Sequence, residues 1–404
     1  MSFLTGITSL GDLPLEGRRV IVRADLDVPI AGDEIIDDAR IRAALPTIKS
    51  ALERGAKVIV AAQRALDKRG QALSLEPAGA CLSGLSGHEV HLPEDCIGDA
   101  PKKVVQDLRP GQICLLENLL FHGEEDSDDP AFAEKLAELG DVYVNDALLA
   151  SSENHASVHA LARIMRERAA GLLLEGELRA LDRLSLQPER PYVAVIGGSS
   201  FADSAALMNV LLGQVDVLCV GGAVANTVLA ARGVDLRSSR VELDKLAQAR
   251  ALLERAASRR VEIVLPEDVI VASSPGAESG APVAVDEIPV DMAALDVGLK
   301  TTARWAAAIA SAKTVLWHGL VGVAEKPAFG GGTARLLSAL SQVPGFVAVL
   351  GDRSAAAALR AALTSPSGTL HVSSAGRASL DLLSGKKLPG VEALRGSTAP
   401  SAKP

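Results

Sequence analysis

The stretch Arg19–Ile48 reads RVIVRADLDVPIAGDEIIDDARIRAALPTI, and it decides the fold of this chain. Its apolar start predicts a buried strand over Arg19–Ala24, and the spacing of the later apolar residues predicts a helix over Asp38–Arg54. A second apolar run, KVIVAA, follows at Lys57–Ala62. A strand, a helix and a further strand in this order indicate a βαβ unit with parallel strands.

The same alternation continues along the chain and predicts an α/β fold with two Rossmann-like parallel-sheet domains. Aromatic residues make up only 2% of the chain, so we expect cores of Val, Leu, Ile and Ala, which suit strands buried on both faces. The other predicted strands are Gln112–Leu116, Asp141–Val144, Tyr192–Ile196, Val215–Val220, Glu262–Leu265, Lys313–Trp317 and Gly345–Leu350. The other predicted helices are Leu75–Ser86, Pro130–Leu139, Asp203–Leu212, Asn226–Arg232, Leu243–Ser258, Thr301–Ala312, Thr333–Ser341 and Ser354–Leu363.

Between the two halves lies GLLLEGELRALDRL (Gly171–Leu184), whose spacing and good helix formers predict a helix. We expect it to join two α/β domains. The predicted N-terminal domain covers 1–170, the joining helix and hinge cover 171–190, and the C-terminal domain covers 191–394. The last residues, 395–404, are rich in small residues and proline and are expected to form a tail.

The composition, with 48% hydrophobic and 23% charged residues, is typical of a soluble globular protein. The net charge of −9 argues against nucleic-acid binding, which depends on lysine and arginine meeting phosphate. No signal peptide or long apolar run is visible, so we expect a cytoplasmic protein without a membrane partner. The cysteines have no CxxC spacing and indicate neither a disulfide framework nor a zinc site; they are Cys81, Cys96, Cys114 and Cys219.

Several motifs follow one another in a recognisable order: VRADLDVP, DDARIRAALPTI, ENLLFH, VNDA, VIGG, VLPEDV and SGKKLPGVEAL. Through them the chain resembles phosphoglycerate kinase from its first strand to about Leu394. The resemblance implies two Rossmann-like domains joined by a helix, in a protein that is usually a monomer. It also implies that the N-terminal domain binds 3-phosphoglycerate and that the C-terminal domain binds ATP or ADP with Mg²⁺. The implied reaction is the reversible transfer of a phosphoryl group between ATP and 3-phosphoglycerate, in glycolysis.

At the acid-binding site that the resemblance implies, few charged residues remain. Arg40 matches the arginine that stabilises the transferred phosphoryl group and is the catalytic candidate, although it could instead lie exposed or pair with Asp37. Asp25 matches an aspartate that binds the glycerate hydroxyl, whereas Asp27 replaces an asparagine; both could instead cap the next turn. The family's cations are replaced by Gln63, Leu66, Leu120 and Glu153, which we expect to be non-functional.

On the nucleotide side, Ser200 and Ser204 stand where the family has lysines. The N–H groups of the helix that begins here could still form a weak anion site. Asp352 is a candidate Mg²⁺ ligand only if the alignment shifts by one residue, because Arg353 occupies the matching position. The other candidate nucleotide-binding residues are Gly197, Gly198, Gly221, Gly222, Gly298, Glu325, Gly351 and Ser354, although the glycines could simply serve backbone turns.

These losses lead to one main hypothesis and two alternatives. Phosphoryl transfer depends chiefly on the positioning of the reacting groups and on positive charge around them. We therefore expect a family member with little or no kinase activity, which acts as a binding or regulatory module. The first alternative is an active but atypical kinase that uses Arg40 with relocated arginines, namely Arg64, Arg353 and Arg377. The second is a related enzyme with a less anionic ligand, bound in a cleft made more apolar by Leu66, Leu120, Leu148 and Leu149.

Overall fold

The computed structural model describes residues 2–31, 34–351, 368–373 and 375–396. Contacts between residues divide the chain into two compact units. The first contains Met1–Arg179 together with the chain from Lys386 onward, and the second contains Ala180–Gly385. Each unit holds a six-stranded parallel sheet, which confirms the predicted α/β fold.

The first sheet is built around the strand predicted at Arg19. The strands of this unit are β1 (Arg19–Arg23), β2 (Ile30–Ala31), β3 (Glu34–Ile35), β4 (Lys57–Ala61), β5 (Val90–His91), β6 (Ile113–Leu115), β7 (Val142–Asn145) and β8 (Arg168–Ala170). They pair in the order β5-β6-β4-β1-β7-β8, all in parallel, while β2 and β3 form a short antiparallel hairpin. The central position of β1 explains why its apolar run has no polar face.

Helices cover the first sheet. They are α1 (Ala39–Glu53), α2 (Glu76–Ser86), α3 (Asp99–Asp107), α4 (Pro130–Ala137), α5 (Ala160–Ile164) and α6 (Leu172–Ser185). On α1, Ile41, Ile48 and Leu52 share a buried face, as helical spacing requires. They join Val20 and Val22 of β1 in one core cluster. No helix in the described part of the chain is long and apolar enough to span a membrane.

The second sheet repeats the arrangement. Its unit contains the strands β9 (Tyr192–Ile196), β10 (Val217–Val220), β11 (Glu262–Val264), β12 (Asp268–Ala272), β13 (Ala281–Ala284), β14 (Ala293–Val297), β15 (Thr314–His318), β16 (Phe346–Leu350) and β17 (Thr369–Val372). The parallel sheet has the order β11-β10-β9-β15-β16-β17. The helices are α7 (Phe201–Leu211), α8 (Gly222–Ala231), α9 (Leu246–Arg259), α10 (Leu299–Ser311), α11 (Gly331–Leu340) and α12 (Arg377–Leu383). The predicted helix over 354–363 lies outside the described residues.

A small antiparallel sheet in the second unit was not predicted. It has the order β13-β12-β14. The strand β12 carries the apolar run Val269–Ala272, but its neighbour β13 is largely exposed and contains Pro282. All four residues of β13 are Ala, Pro or Val, so no alternation of apolar and polar residues identifies it as a strand, and Pro282 argues against one.

The chain from Lys386 belongs to the first unit, whereas we expected residues up to 394 to belong to the second domain. A short last helix, α13 (Pro389–Glu392), packs beside the 3-10 turn Ala150–Ser152. An added Cβ on Gly390 would come within 2.7 Å of Ser151 Oγ, so the two backbones are in close contact. Arg395 then donates hydrogen bonds to the carbonyl groups of Phe3 and Thr5. These contacts, which join the two ends of the chain, leave no local signal in the sequence.

Candidate active site

The predicted acid-site positions lie at the carboxyl edge of the first sheet. Parallel strands end at the same edge, so the loops that follow β1, β4, β6 and β7 meet there. The loop after β1 supplies Asp25 and Asp27, and the loop after β4 supplies Gln63 and Leu66. Leu120 lies in the turn that follows β6.

Arg40, in the first turn of α1, is engaged with Asp27. Its Nη1 donates to the Asp27 carbonyl oxygen at 3.2 Å and lies 3.9 Å from a carboxylate oxygen of the same residue. Burial raises the pKa of Asp25 above its ordinary value, and Asp27 acts in the same direction, whereas Arg23 and Arg40 oppose it. Arg40 therefore has an internal partner in Asp27, whose carbonyl oxygen accepts a hydrogen bond from it and whose carboxylate lies nearby.

A buried network lies under this edge, and the sequence analysis missed it. The guanidinium of Arg23 is fully buried and donates from Nη2 to Gln63 Oε1 at 2.8 Å and from Nε to Ser157 Oγ at 2.9 Å. Gln63 in turn donates to Glu125 Oε1 at 2.8 Å, and the Ser157 amide donates to Glu125 Oε2 at 2.9 Å. Gln63 therefore bridges a cation and a carboxylate, which gives a structural role to a position that we expected to be non-functional in substrate binding. The sequence signal that could have revealed this network was Arg23, a charged residue at the end of the apolar strand β1.

At the remaining predicted acid-site positions, the side chains present no positive charge to a phosphate. Leu66 is 47% exposed, and Leu120 is half-buried. Glu153 is exposed and offers a carboxylate. The neighbouring Arg64 donates from Nη1 to the Ser74 carbonyl oxygen at 2.6 Å, so its guanidinium is bonded within its own loop.

Asp146 directly follows β7, and its side chain accepts hydrogen bonds from the start of α6. Its Oδ1 accepts the amides of Leu173 and Leu174 at 3.0 and 3.2 Å. The side chain is 1% exposed, and burial raises its pKa to about 7, with Asp25 acting in the same direction and Thr47 against it. The helix that runs from the first unit into the second therefore begins on a carboxyl group that titrates near neutrality.

The stability of the protein should consequently fall as this group ionises. In the unfolded chain an aspartate titrates near 4, so between pH 4 and 7 the native state binds the extra proton, and stability is lost as pH rises. We expect the wild type to lose roughly 2–3 kcal/mol relative to Asp146→Asn between pH 5 and pH 8. Urea unfolding of both proteins at the two pH values measures this. An equal difference at both would contradict it.

In the second unit, the candidate glycines support close backbone contacts. A Cβ on Gly197 would overlap the carbonyl oxygen of Leu320. Gly222 has a φ of +60°, and a Cβ there would lie 2.6 Å from the Gly198 oxygen. Gly221 and Gly298 are equally confined, by Val321 and Asp268. Their geometry is explained by packing alone.

The start of α7, where we expected a weak anion site, already holds a carboxylate of the protein. Glu242 accepts the Phe201 amide at 2.5 Å and the Ala202 amide at 3.1 Å. Ser200 Oγ accepts the Asp203 amide at 3.2 Å, and the hydroxyl of Ser204 donates to the Ser200 carbonyl oxygen. The N-terminus of α7 thus already binds a carboxylate of the protein, which argues against the weak anion site that we expected could persist there. No local pattern links Glu242 to this helix.

The remaining nucleotide-side candidates are spread over the ends of β15 and β16. Glu325 is exposed, in the loop after β15. Gly351 directly follows β16 and is buried. Asp352, Arg353 and Ser354, and with them the candidate Mg²⁺ ligand, lie outside the described residues. Arg377 begins α12 with a 76% exposed side chain, 3.9 Å from Asp381.

Comparisons with known proteins agree on one family. The family model for phosphoglycerate kinase matches residues 10–386. A phosphoglycerate kinase of Anaeromyxobacter dehalogenans (strain 2CP-1 / ATCC BAA-258) is 43% identical over 394 residues, covering 96% of this chain and 99% of that protein. One from Moorella thermoacetica is 42% identical, covering 96% and 98%. The solved phosphoglycerate kinase of Coxiella burnetii superposes with a TM-score of 0.85 at 34% identity, covering 96% and 98%.

Proposed function

Since this chain belongs to the phosphoglycerate kinase family, we propose that it is a member with little or no kinase activity, which acts by binding a ligand or a partner. The observation that carries the proposal is the state of Arg40. The guanidinium that matches the family's catalytic arginine donates to the main-chain carbonyl oxygen of Asp27 and lies 3.9 Å from its carboxylate, which stands where the family has an asparagine.

The surrounding cations support the same conclusion. Arg23 is bonded to Gln63 and Ser157, and Arg64 is bonded to the Ser74 carbonyl group. Phosphoryl transfer depends on positive charge placed around the moving group, and losing one such cation can cost about 10³–10⁵ in rate. Hydrogen bonds to charged groups contribute about 1.5–3 kcal/mol each, so missing partners also weaken binding of the anionic acid.

We further propose that a nucleotide binds weakly at the carboxyl ends of the strands of the second sheet. Glu325 matches the glutamate that bonds the ribose and is exposed, while Glu242 occupies the start of α7 and repels phosphate there. Weak affinity means a Kd of about 1 mM, which corresponds to about −4 kcal/mol.

Calorimetric titration with ADP and Mg²⁺ tests this nucleotide prediction. We expect weak binding by the wild type, further weakened in Glu325→Ala and unchanged in Glu278→Ala, which removes an exposed glutamate elsewhere in the same unit. A flat response of the wild type to both ATP and ADP would remove the nucleotide from the proposal. The kinase part is tested separately, by coupled assay of the wild type beside Arg40→Ala.

A second candidate function rests on the apolar character of the acid-site edge. Leu66 is 47% exposed and Phe121 is 41% exposed, in the loops that follow β4 and β6. Exposed apolar side chains with few polar groups suit a ligand that is less anionic than 3-phosphoglycerate. A thermal-shift screen of neutral metabolites in which hits are lost in Leu66→Arg would favour this function over a protein-binding role.

A further inference from the structure

Three side chains of different chemistry meet beside α3 in the first unit. Asp95 and Cys96 lie in the loop between β5 and α3, and His122 follows the 3-10 turn Leu119–Phe121. Their donor atoms, a carboxylate oxygen, a sulfur and an imidazole nitrogen, all lie within 4.8 Å of one another. We propose that Asp95, Cys96 and His122 form a binding site for Zn²⁺, with water completing the coordination.

The ligand types favour zinc over the harder cations. Zn²⁺ is bound in proteins by cysteine sulfur, histidine nitrogen and carboxylate oxygen, at about 2.0–2.3 Å. Ca²⁺ and Mg²⁺ take oxygen ligands, so a thiol and an imidazole would be poor partners for them. A set with one sulfur, one nitrogen and one oxygen therefore suits a borderline-soft ion.

The Asp95–His122 pair requires only a small adjustment, and the Cys96 sulfur lies within 4.8 Å of both of their donor atoms. His122 Nε2 and Asp95 Oδ1 are 2.7 Å apart, which is a hydrogen bond. Ligands of a tetrahedral zinc ion lie about 3.3–3.6 Å apart at the usual bond lengths, so the pair would separate by less than about 1 Å. The side chains of Asp95 and His122 are 41% and 24% exposed, which leaves them room to move and gives the ion a path from solvent. Cys96 is fully buried and would be the inner ligand.

Neighbouring groups orient Asp95 and His122. Asp95 Oδ1 also accepts the Cys96 amide at 2.6 Å. The His122 ring packs against Phe132 with ring centroids 5.4 Å apart, and the His122 carbonyl oxygen accepts the Glu125 amide at 3.1 Å. Such outer contacts orient metal ligands and are worth about 10–100-fold in affinity at known sites. None of the three proposed ligands is among the residues that carry the proposed function, so the zinc proposal can be tested independently of kinase activity.

Cobalt titration of the full-length protein tests the proposal, because Co²⁺ in a tetrahedral site with a thiolate gives absorption bands that Zn²⁺ lacks. After removal of metal with EDTA, we expect Co²⁺ to produce a thiolate charge-transfer band, and Zn²⁺ to abolish it by displacement. Cys96→Ala should lose the band, and His122→Gln and Asp95→Asn should weaken Co²⁺ binding by about tenfold or more. The matched control is Cys81→Ala, which removes a half-buried cysteine of α2 and should leave the band unchanged.

A missing charge-transfer band, or one that survives Cys96→Ala, would overturn the proposal and leave an ordinary Asp95–His122 ion pair beside a core cysteine. Circular dichroism of each variant separates loss of the ligand from loss of the fold. If Cys96→Ala does not fold, the two conservative variants decide, since metal affinity unchanged in both Asp95→Asn and His122→Gln excludes the site.

Discussion

Purified wild-type protein given ATP, Mg²⁺ and 3-phosphoglycerate is expected to show no turnover above that of its Arg40→Ala variant. The reason is electrostatic. Arg40 donates to the main-chain carbonyl oxygen of Asp27, Leu66 and Leu120 carry no charge, and Glu153 carries a negative one. The proposed loss of several transition-state cations leads us to expect a rate at least about 10³-fold below that of an ordinary family member.

A coupled assay measures this, with the phosphoglycerate kinase of Anaeromyxobacter dehalogenans, 43% identical to this chain, as the active reference under identical conditions. Turnover that disappears in Arg40→Ala would contradict the proposed function and show a working kinase with a rebuilt phosphate site. Arg64→Ala and Arg377→Ala would then show which relocated arginine takes part. Arg64 is the less favourable of the two, since it is bonded to Ser74 within its loop.

The fold could be predicted because its strongest signals are local. The runs RVIVR and KVIVA are buried on both faces of a parallel sheet and therefore contain no polar alternation, and α1 shows its buried face in its own spacing. The segments that escaped prediction lack such signals. β13 is exposed, and the return of the chain to the first unit after Lys386 depends on contacts with Ser151 and with the first residues of the chain.

At the candidate site, the sequence could predict which residue types are present but not what they contact. The cation replacements that the family resemblance implies can be read from the sequence, but the partners of the remaining residues cannot. Arg23 reaches Ser157 across 134 positions, and Glu242 reaches the start of α7 from 40 or 41 positions away. The same holds for His122, which meets Asp95 across 27 positions and turns an apparently isolated cysteine into one of three candidate ligands.

Replacement of Arg23 by methionine should destabilise the first unit strongly. The fully buried guanidinium donates to Ser157 Oγ, to Gln63 Oε1 and to the Ala24 carbonyl oxygen at 2.6–2.9 Å. Methionine fills much of the volume but leaves these acceptors without their donor, next to the buried carboxylate of Glu125. Removing one member of a buried charged network costs about 3–5 kcal/mol.

Urea unfolding measures the effect, with Arg64→Met as the matched control. Arg64 is half-buried and bonds one carbonyl group through its side chain, so the control should lose only about 1 kcal/mol. Both tryptophans, Trp305 and Trp317, lie in the second unit, so their fluorescence reports that unit while circular dichroism reports both. We expect the dichroism transition of Arg23→Met to move to lower urea more than the fluorescence transition does. Equal and small losses in Arg23→Met and Arg64→Met would mean that the network under the acid-site edge contributes little, and that Gln63 has no structural role after all.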